Sequence, residues 1–168
     1  MSAHGRQSSD VPAEDDPELL AGVAGLRPQA SAGLASGSSE LLLESFEAGT
    51  LDPGGFHHRD HVRLAWLVLR RDPLPRALDR FPEALRRFAQ AAGKPQLYHE
   101  TVTYAYLLVI HEQMQQRPAG DTWEAFATAH PDLLSGKPSV LERYYRKETL
   151  ASDLARRVFL MPDRLSSA

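Results

Sequence analysis

The sequence predicts an all-α fold: a small helical bundle with short C-terminal helices packed across one end, behind a disordered N-terminal tail. Three observations predict it. From Ser39 onward apolar residues recur at three- and four-residue spacing, the period of one helix face. No stretch alternates apolar and polar over several residues, as a half-buried strand would. Glycine and proline stand where helices must stop: Gly49, Asp72-Pro73 and Gly93-Lys94-Pro95. With 168 residues, 42% of them apolar, the chain is long enough for one domain with a real core.

Residues 1–37 are rich in Ser, Gly, Ala and Pro, with an acidic run at Glu14-Asp15-Asp16, and bury too little to order. A brief helix over Leu19–Leu26 is the most this tail offers; residues 38–168 form the single helical domain. Ser39 caps a first helix that reaches Ala48 and stops at Gly49. After the Pro53-Gly54-Gly55 turn, a second runs from Phe56 to Arg71 and ends before Asp72-Pro73. A third covers Pro75–Ala92, with Pro82 expected to kink or split it. The fourth spans Tyr98–Gln116, and a short fifth, Thr122–Ala129, takes Asp121 as its cap. Ser139–Tyr145 and Thr149–Arg157 are two short closing helices, and Val158–Met161 is expected to be extended.

Composition removes several function classes. A net charge of −3 and a pI near 6.2 make no demand for a nucleic-acid partner. The absence of cysteine removes disulfides, Cys-type zinc sites, iron–sulfur clusters and thiol nucleophiles together. Met1–Asp10 has no basic start followed by an apolar stretch, so no signal peptide is evident, and no apolar stretch approaches the ~20 residues of a membrane span. A soluble cytoplasmic protein is the default expectation. The basic residues are 16 Arg against 3 Lys, which with abundant Ala, Leu and Pro suggests a GC-rich bacterial genome and a setting in specialised metabolism.

The feature that points to chemistry is histidine. Three of the seven lie in Phe56-His57-His58-Arg59-Asp60-His61, and His99 opens the fourth helix. Helical geometry sets Arg59, Arg63, Arg70 and Arg71 on one stripe and Val62, Ala65, Trp66, Val68 and Leu69 on the opposite arc. His58 and His61 fall near the middle of that apolar arc, three residues apart, so their rings can converge. His57 falls at its edge. In the fourth helix Val102, Tyr106, Val109, Ile110 and Met114 define the core face, and His99, Thr103 and Tyr106 run down its middle. Buried polar groups need partners, so a shared pocket between the two helices is expected. His58, His61 and His99 are the expected metal ligands, for zinc, iron, copper or nickel, and His57 is open between a fourth ligand, a group supporting a ligand and an exposed residue.

The other residues carry weaker signals. Glu100 can serve as a general base on metal-bound water, although an acidic residue in a first helical turn is better accounted for by the helix dipole. Tyr106 and Thr103 would position substrate or water. Arg143 and Tyr144, in Arg143-Tyr144-Tyr145, can bind substrate at the pocket mouth or anchor the bundle's end. Asp60 more simply caps or orients a histidine than binds metal. Trp66 and Trp123 are core residues by the simplest account, and Arg59, Arg63, Arg70, Arg76, Arg80 and Arg86 solvated faces. His111 and His130 read as structural or solvated, and His4 lies in the tail. No GxGxxG, Walker A, GxSxG or HExxH pattern occurs.

The blocks Phe56-His57-His58-Arg59-Asp60-His61 with Ala65-Trp66, Tyr98-His99-Glu100-Thr101 and Arg143-Tyr144-Tyr145 resemble a family of small bacterial helical proteins of unassigned activity, over roughly residues 40–163. The resemblance implies that these blocks act together and supplies no reaction. The geometry is also similar, as a fold-level analogy, to three-histidine bundles such as the DinB-like metalloenzymes, whose histidine order differs. The sequence thus points to a metal-dependent enzyme acting on a small organic molecule, with hydrolysis or elimination by metal-bound water slightly ahead of oxidation. The alternatives are a non-catalytic helical module with a buried histidine network, working through a partner or as a homodimer, and a metal-binding accessory protein. No nucleic-acid or membrane partner is expected.

Overall fold

In the computed structural model, which describes residues 36–116, 120–137 and 139–164, helix α1 spans Ser36–Ala48. It ends at Gly49, whose φ of 71° lies in the left-handed region that a side chain disfavours. The expected tail, with its Leu19–Leu26 helix and His4, falls outside the described residues apart from its last two positions. A 3₁₀ turn at Pro53–Gly55 leads to α2, His58–Arg71. His57 is the extended residue before it, and its backbone N–H donates to Asp60 Oδ2 at 2.9 Å, so Asp60 serves as a capping residue.

Helix α3, Leu74–Ala91, is continuous through Pro82, so of the kink or split expected there the split does not occur. Pro82 removes one backbone donor, but the helix buries Ala77, Phe81, Ala84, Leu85 and Phe88 on one face, which outweighs a single lost bond. A 3₁₀ turn at Pro95–Leu97 precedes α4, Glu100–Gln116. The cap of α5, Trp123–Ala129, is Thr122 and not Asp121: Thr122 Oγ1 accepts from the Ala125 N–H at 3.2 Å. Asp121 instead receives Arg70 on its carbonyl and pairs with it at 3.5 Å.

The end of the chain is more broken than expected. A four-residue helix α6, Pro131–Leu134, was not foreseen; Val140–Arg143 is a 3₁₀ turn; and α7, Lys147–Leu150, is separated from α8, Asp153–Arg157. Ser152 makes that break by capping α8, its Oγ accepting from the Ala155 N–H at 3.1 Å. Among the described residues there is no strand, and no helix is long and apolar enough to cross a membrane.

Helix α4 is the central element. It packs against α2, α3 and α8, while α1 lies on α2 and α3 and α6 closes on α2. Phe46, Val62, Leu64, Leu107, Ile110 and Leu133 are among the most buried side chains of the resulting core. Several arginines depart from the solvated face expected of them. Arg63 is only 9% exposed: it donates to Ser39 Oγ at 2.6 Å and lies 6.0 Å from the Trp123 ring, because α5 covers this side of α2. Arg80 joins Arg71 around Glu47 and buried Asp72, tying α1, α2 and α3 together. Arg86 pairs with Glu100 at 2.6 Å.

Candidate small-molecule pocket at the histidine cluster

A pocket of about 210 Å³ opens where the start of α2, the end of α3 and the start of α4 meet. Its walls are largely apolar: Phe56, Leu85, Phe88, Ala89, Leu97 and the ring of Tyr98. The polar groups that reach it are His61, His99, Thr103 and Lys94. Beneath it, between α2, α3 and α4, lies a void of about 10 Å³ shared by His58, His61, Thr103 and Tyr106, on the scale of a single water molecule.

His61 lines both spaces, as do Leu85 and Thr103. Phe56 packs edge-on against its ring at 4.3 Å. Its Nδ1 is sealed from solvent without a partner, and the ring makes no hydrogen bond with any described residue. Burial, with a smaller contribution from neighbouring His58, holds its pKa down to about 3, so the imidazole is neutral at pH 7.

His58 and His99 are held differently. His58 Nε2 donates to the Leu133 carbonyl at 2.9 Å, tying α2 to α6. That bond fixes the tautomer and leaves a lone pair on Nδ1, which is buried without a partner. Burial lowers the His58 pKa, partly opposed by the Leu133 bond. His99 is satisfied at both nitrogens: Nε2 donates to the Leu150 carbonyl at 2.9 Å and Nδ1 accepts the Val102 N–H at 3.3 Å. It is the side-chain cap of α4 and its tie to α7, which explains a histidine in that first turn. Burial is again the main reason its pKa is lowered.

Of the expected ligand set, then, His58 and His61 each keep a free buried nitrogen, His99 is engaged by the protein, and His57 is exposed at the N-terminus of α2. Among the described residues, no group of three or more His, Asp or Glu side chains is placed to hold one metal ion. The residues expected around them also divide. Thr103 lines both spaces, and Tyr106 lines the smaller, with its hydroxyl 2.9 Å from Ser139 Oγ and its ring against His58. Glu100 is clamped by Arg86 and by the Tyr98 hydroxyl at 2.8 Å, an arrangement that fixes it as an ion-pair partner. Arg143 and Tyr144 do not line the pocket. Arg143 is exposed and pairs with Asp132 at 2.8 Å, while the Tyr144 carbonyl anchors the chain end by accepting from Asp163 and Arg164.

Sequence reasoning missed the α3 wall and Lys94. Leu85, Phe88 and Ala89 carry only the ordinary signal of an apolar face, and Lys94 sits in a loop between Gly93 and Pro95. Nothing in a one-dimensional pattern distinguishes a face that meets a cavity from one that meets another helix. Comparison with family models, with characterised proteins and with solved structures returned no match to this chain, so the functional reading rests on the pocket alone.

Proposed function

We propose that this protein binds a small, predominantly apolar organic molecule in the pocket between α2, α3 and α4, with His61 as its internal hydrogen-bonding group. One observation carries the reading: a neutral histidine without a protein partner forms part of the wall of an otherwise apolar pocket. A buried polar group without a partner costs about 1–3 kcal/mol. A ligand that donates to the other ring nitrogen, Nε2, which is neither sealed off nor bonded to a described residue, gains a hydrogen bond and covers the apolar walls at the same time. The volume suits one ring with a short arm, since a dry cavity of ~150 Å³ accepts benzene. An imidazole with so low a pKa is a weak base, which favours a binding role over proton abstraction at neutral pH.

The test is a titration of ¹⁵N-labelled protein with 3-phenylpropan-1-ol. Saturable shifts at His61, Phe88 and Leu97, abolished by A92F at the pocket wall, are expected; shifts that never saturate, or that A92F leaves unchanged, contradict the reading.

A second reading is favoured by the state of His58. A metal-bound histidine usually donates its other N–H to a carbonyl or carboxylate, and His58 does so through Nε2 while Nδ1 stays free. His58 and His61 would then hold a divalent ion, with water or ligand completing its coordination. Such an ion supplies Lewis acidity and an activated water. Thr103 lies beside both histidines to orient the bound molecule. Stoichiometric zinc or nickel uptake lost in H58A and kept in H99A supports this reading; no uptake overturns it.

A further inference from the structure

We propose that the molecule taken up is a monocarboxylate, its apolar body inside the pocket and its carboxylate at the rim against Lys94. The inference rests on the pocket reading above and adds the charge of the ligand. Lys94 is the one charged side chain among the residues that line the pocket. It is exposed, it follows the positive-φ turn at Gly93, and it forms no ion pair with any described residue.

The surroundings carry the same sign. Of the carboxylates beside the lining residues, Glu100 is neutralised by Arg86 at 2.6 Å and further occupied by the Tyr98 hydroxyl, and Asp52 accepts from the Gly54 N–H at 2.9 Å. The Arg86 guanidinium lies 4.6 Å from the centre of the Tyr98 ring, whose body forms part of the pocket wall. Arg156 adds a charge felt at His99. Three cations therefore stand against two carboxylates around this mouth, one of them already ion-paired, and field lines concentrate at a concave opening with low-dielectric walls. An anionic group is attracted there and a cationic one repelled.

The inner end of the pocket sets the ligand's orientation. Burying a carboxylate against the neutral His61 ring would cost desolvation without a countercharge. At the rim the carboxylate keeps part of its water and gains Lys94. The body then lies among Phe56, Leu85, Phe88 and Leu97, and a hydroxyl or N–H at its far end donates to His61. A carboxylate on a short arm from a single ring meets these requirements; a dicarboxylate or an amine does not.

Calorimetric titration of the full chain with 3-(4-hydroxyphenyl)propanoate and with the matched alcohol, 3-(4-hydroxyphenyl)propan-1-ol, tests it, each repeated on K94M. Lys94 is exposed, so K94M leaves the fold intact. The acid is expected to bind roughly tenfold more tightly than the alcohol, with the advantage falling as salt rises and disappearing in K94M. Equal binding of acid and alcohol, or a preference that survives in K94M, overturns the carboxylate assignment and leaves the pocket reading standing. Binding of neither compound overturns both.

Discussion

At the scale of single residues, His61 concentrates the cost and the use of this site. Its ring is held neutral where the unfolded chain would titrate near 6.5. Between about pH 3 and pH 6.5 the unfolded state binds the extra proton, so this histidine's contribution to stability is complete above 6.5 and lost as pH falls. Burial shifts His58 and His99 in the same direction and adds to the slope. Urea unfolding across this range is expected to show stability falling with acidification, each histidine adding up to about 1.4 kcal/mol per pH unit. H61L should flatten the slope by about one proton. It also removes the partnerless nitrogen, so at neutral pH it is expected to leave stability unchanged or raise it by about 1 kcal/mol while abolishing ligand binding. His58 is the opposite case. H58A strands the Leu133 carbonyl and opens a cavity, and a loss of about 2–4 kcal/mol is expected by the same measurement. Equal losses in H61L and H58A would deny His61 its separate role.

The residue scale also shows what the sequence could tell. Helical spacing correctly set His58, His61, Thr103 and Tyr106 together between α2 and α4, because position on a helix face follows from the period alone. It could not tell which ring nitrogens remain free. Those depend on the Leu133 and Leu150 carbonyls, which lie 75 and 51 residues away in the chain. His99 shares the apolar face as the pattern implies, yet its nitrogens are occupied by a cap and a tertiary bond.

At the scale of elements, the long helices were legible and their caps and short successors were not. α2, α3 and α4 carry enough apolar residues for the period to show through, and their observed limits lie within about two residues of the expected ones. α6, α7 and α8 have four or five residues each, too few to display a period, and exist through capping and burial of single residues such as Leu133 and Ala155. The cap of α5 gives a direct test. Asp121 and Thr122 are both good capping types, and it is Thr122, with an extended backbone, that accepts from the Ala125 N–H. T122A is expected to cost about 1 kcal/mol and D121A less than half of that, read as shifts in urea midpoint. The reverse order would return the cap to Asp121. Arg63 teaches a related lesson: a polar stripe on α2 became an interior surface because Trp123 of α5 laid its ring over it.

At the scale of the whole molecule, three long helices converge at one end and leave a pocket that their side chains do not fill. Interiors are close-packed, so a largely apolar space of this size beside a neutral histidine lowers stability unless something occupies it. A ligand that binds only the folded chain should raise the unfolding temperature with concentration, by about 2.7 kcal/mol at a hundredfold excess over Kd. The effect should vanish in A92F, which fills the same space from within. The central claim, that His61 is a neutral histidine awaiting a donor from a small apolar ligand, is tested most directly by the ¹⁵N spectrum of the histidine rings at neutral pH, recorded while 3-phenylpropan-1-ol is added. A neutral His61 ring whose nitrogen signals shift saturably with ligand, while the buried His130 ring, which does not line the pocket, holds still, is predicted. A His61 ring that titrates near 6.5 like an exposed histidine, or that ignores the ligand, would contradict the account.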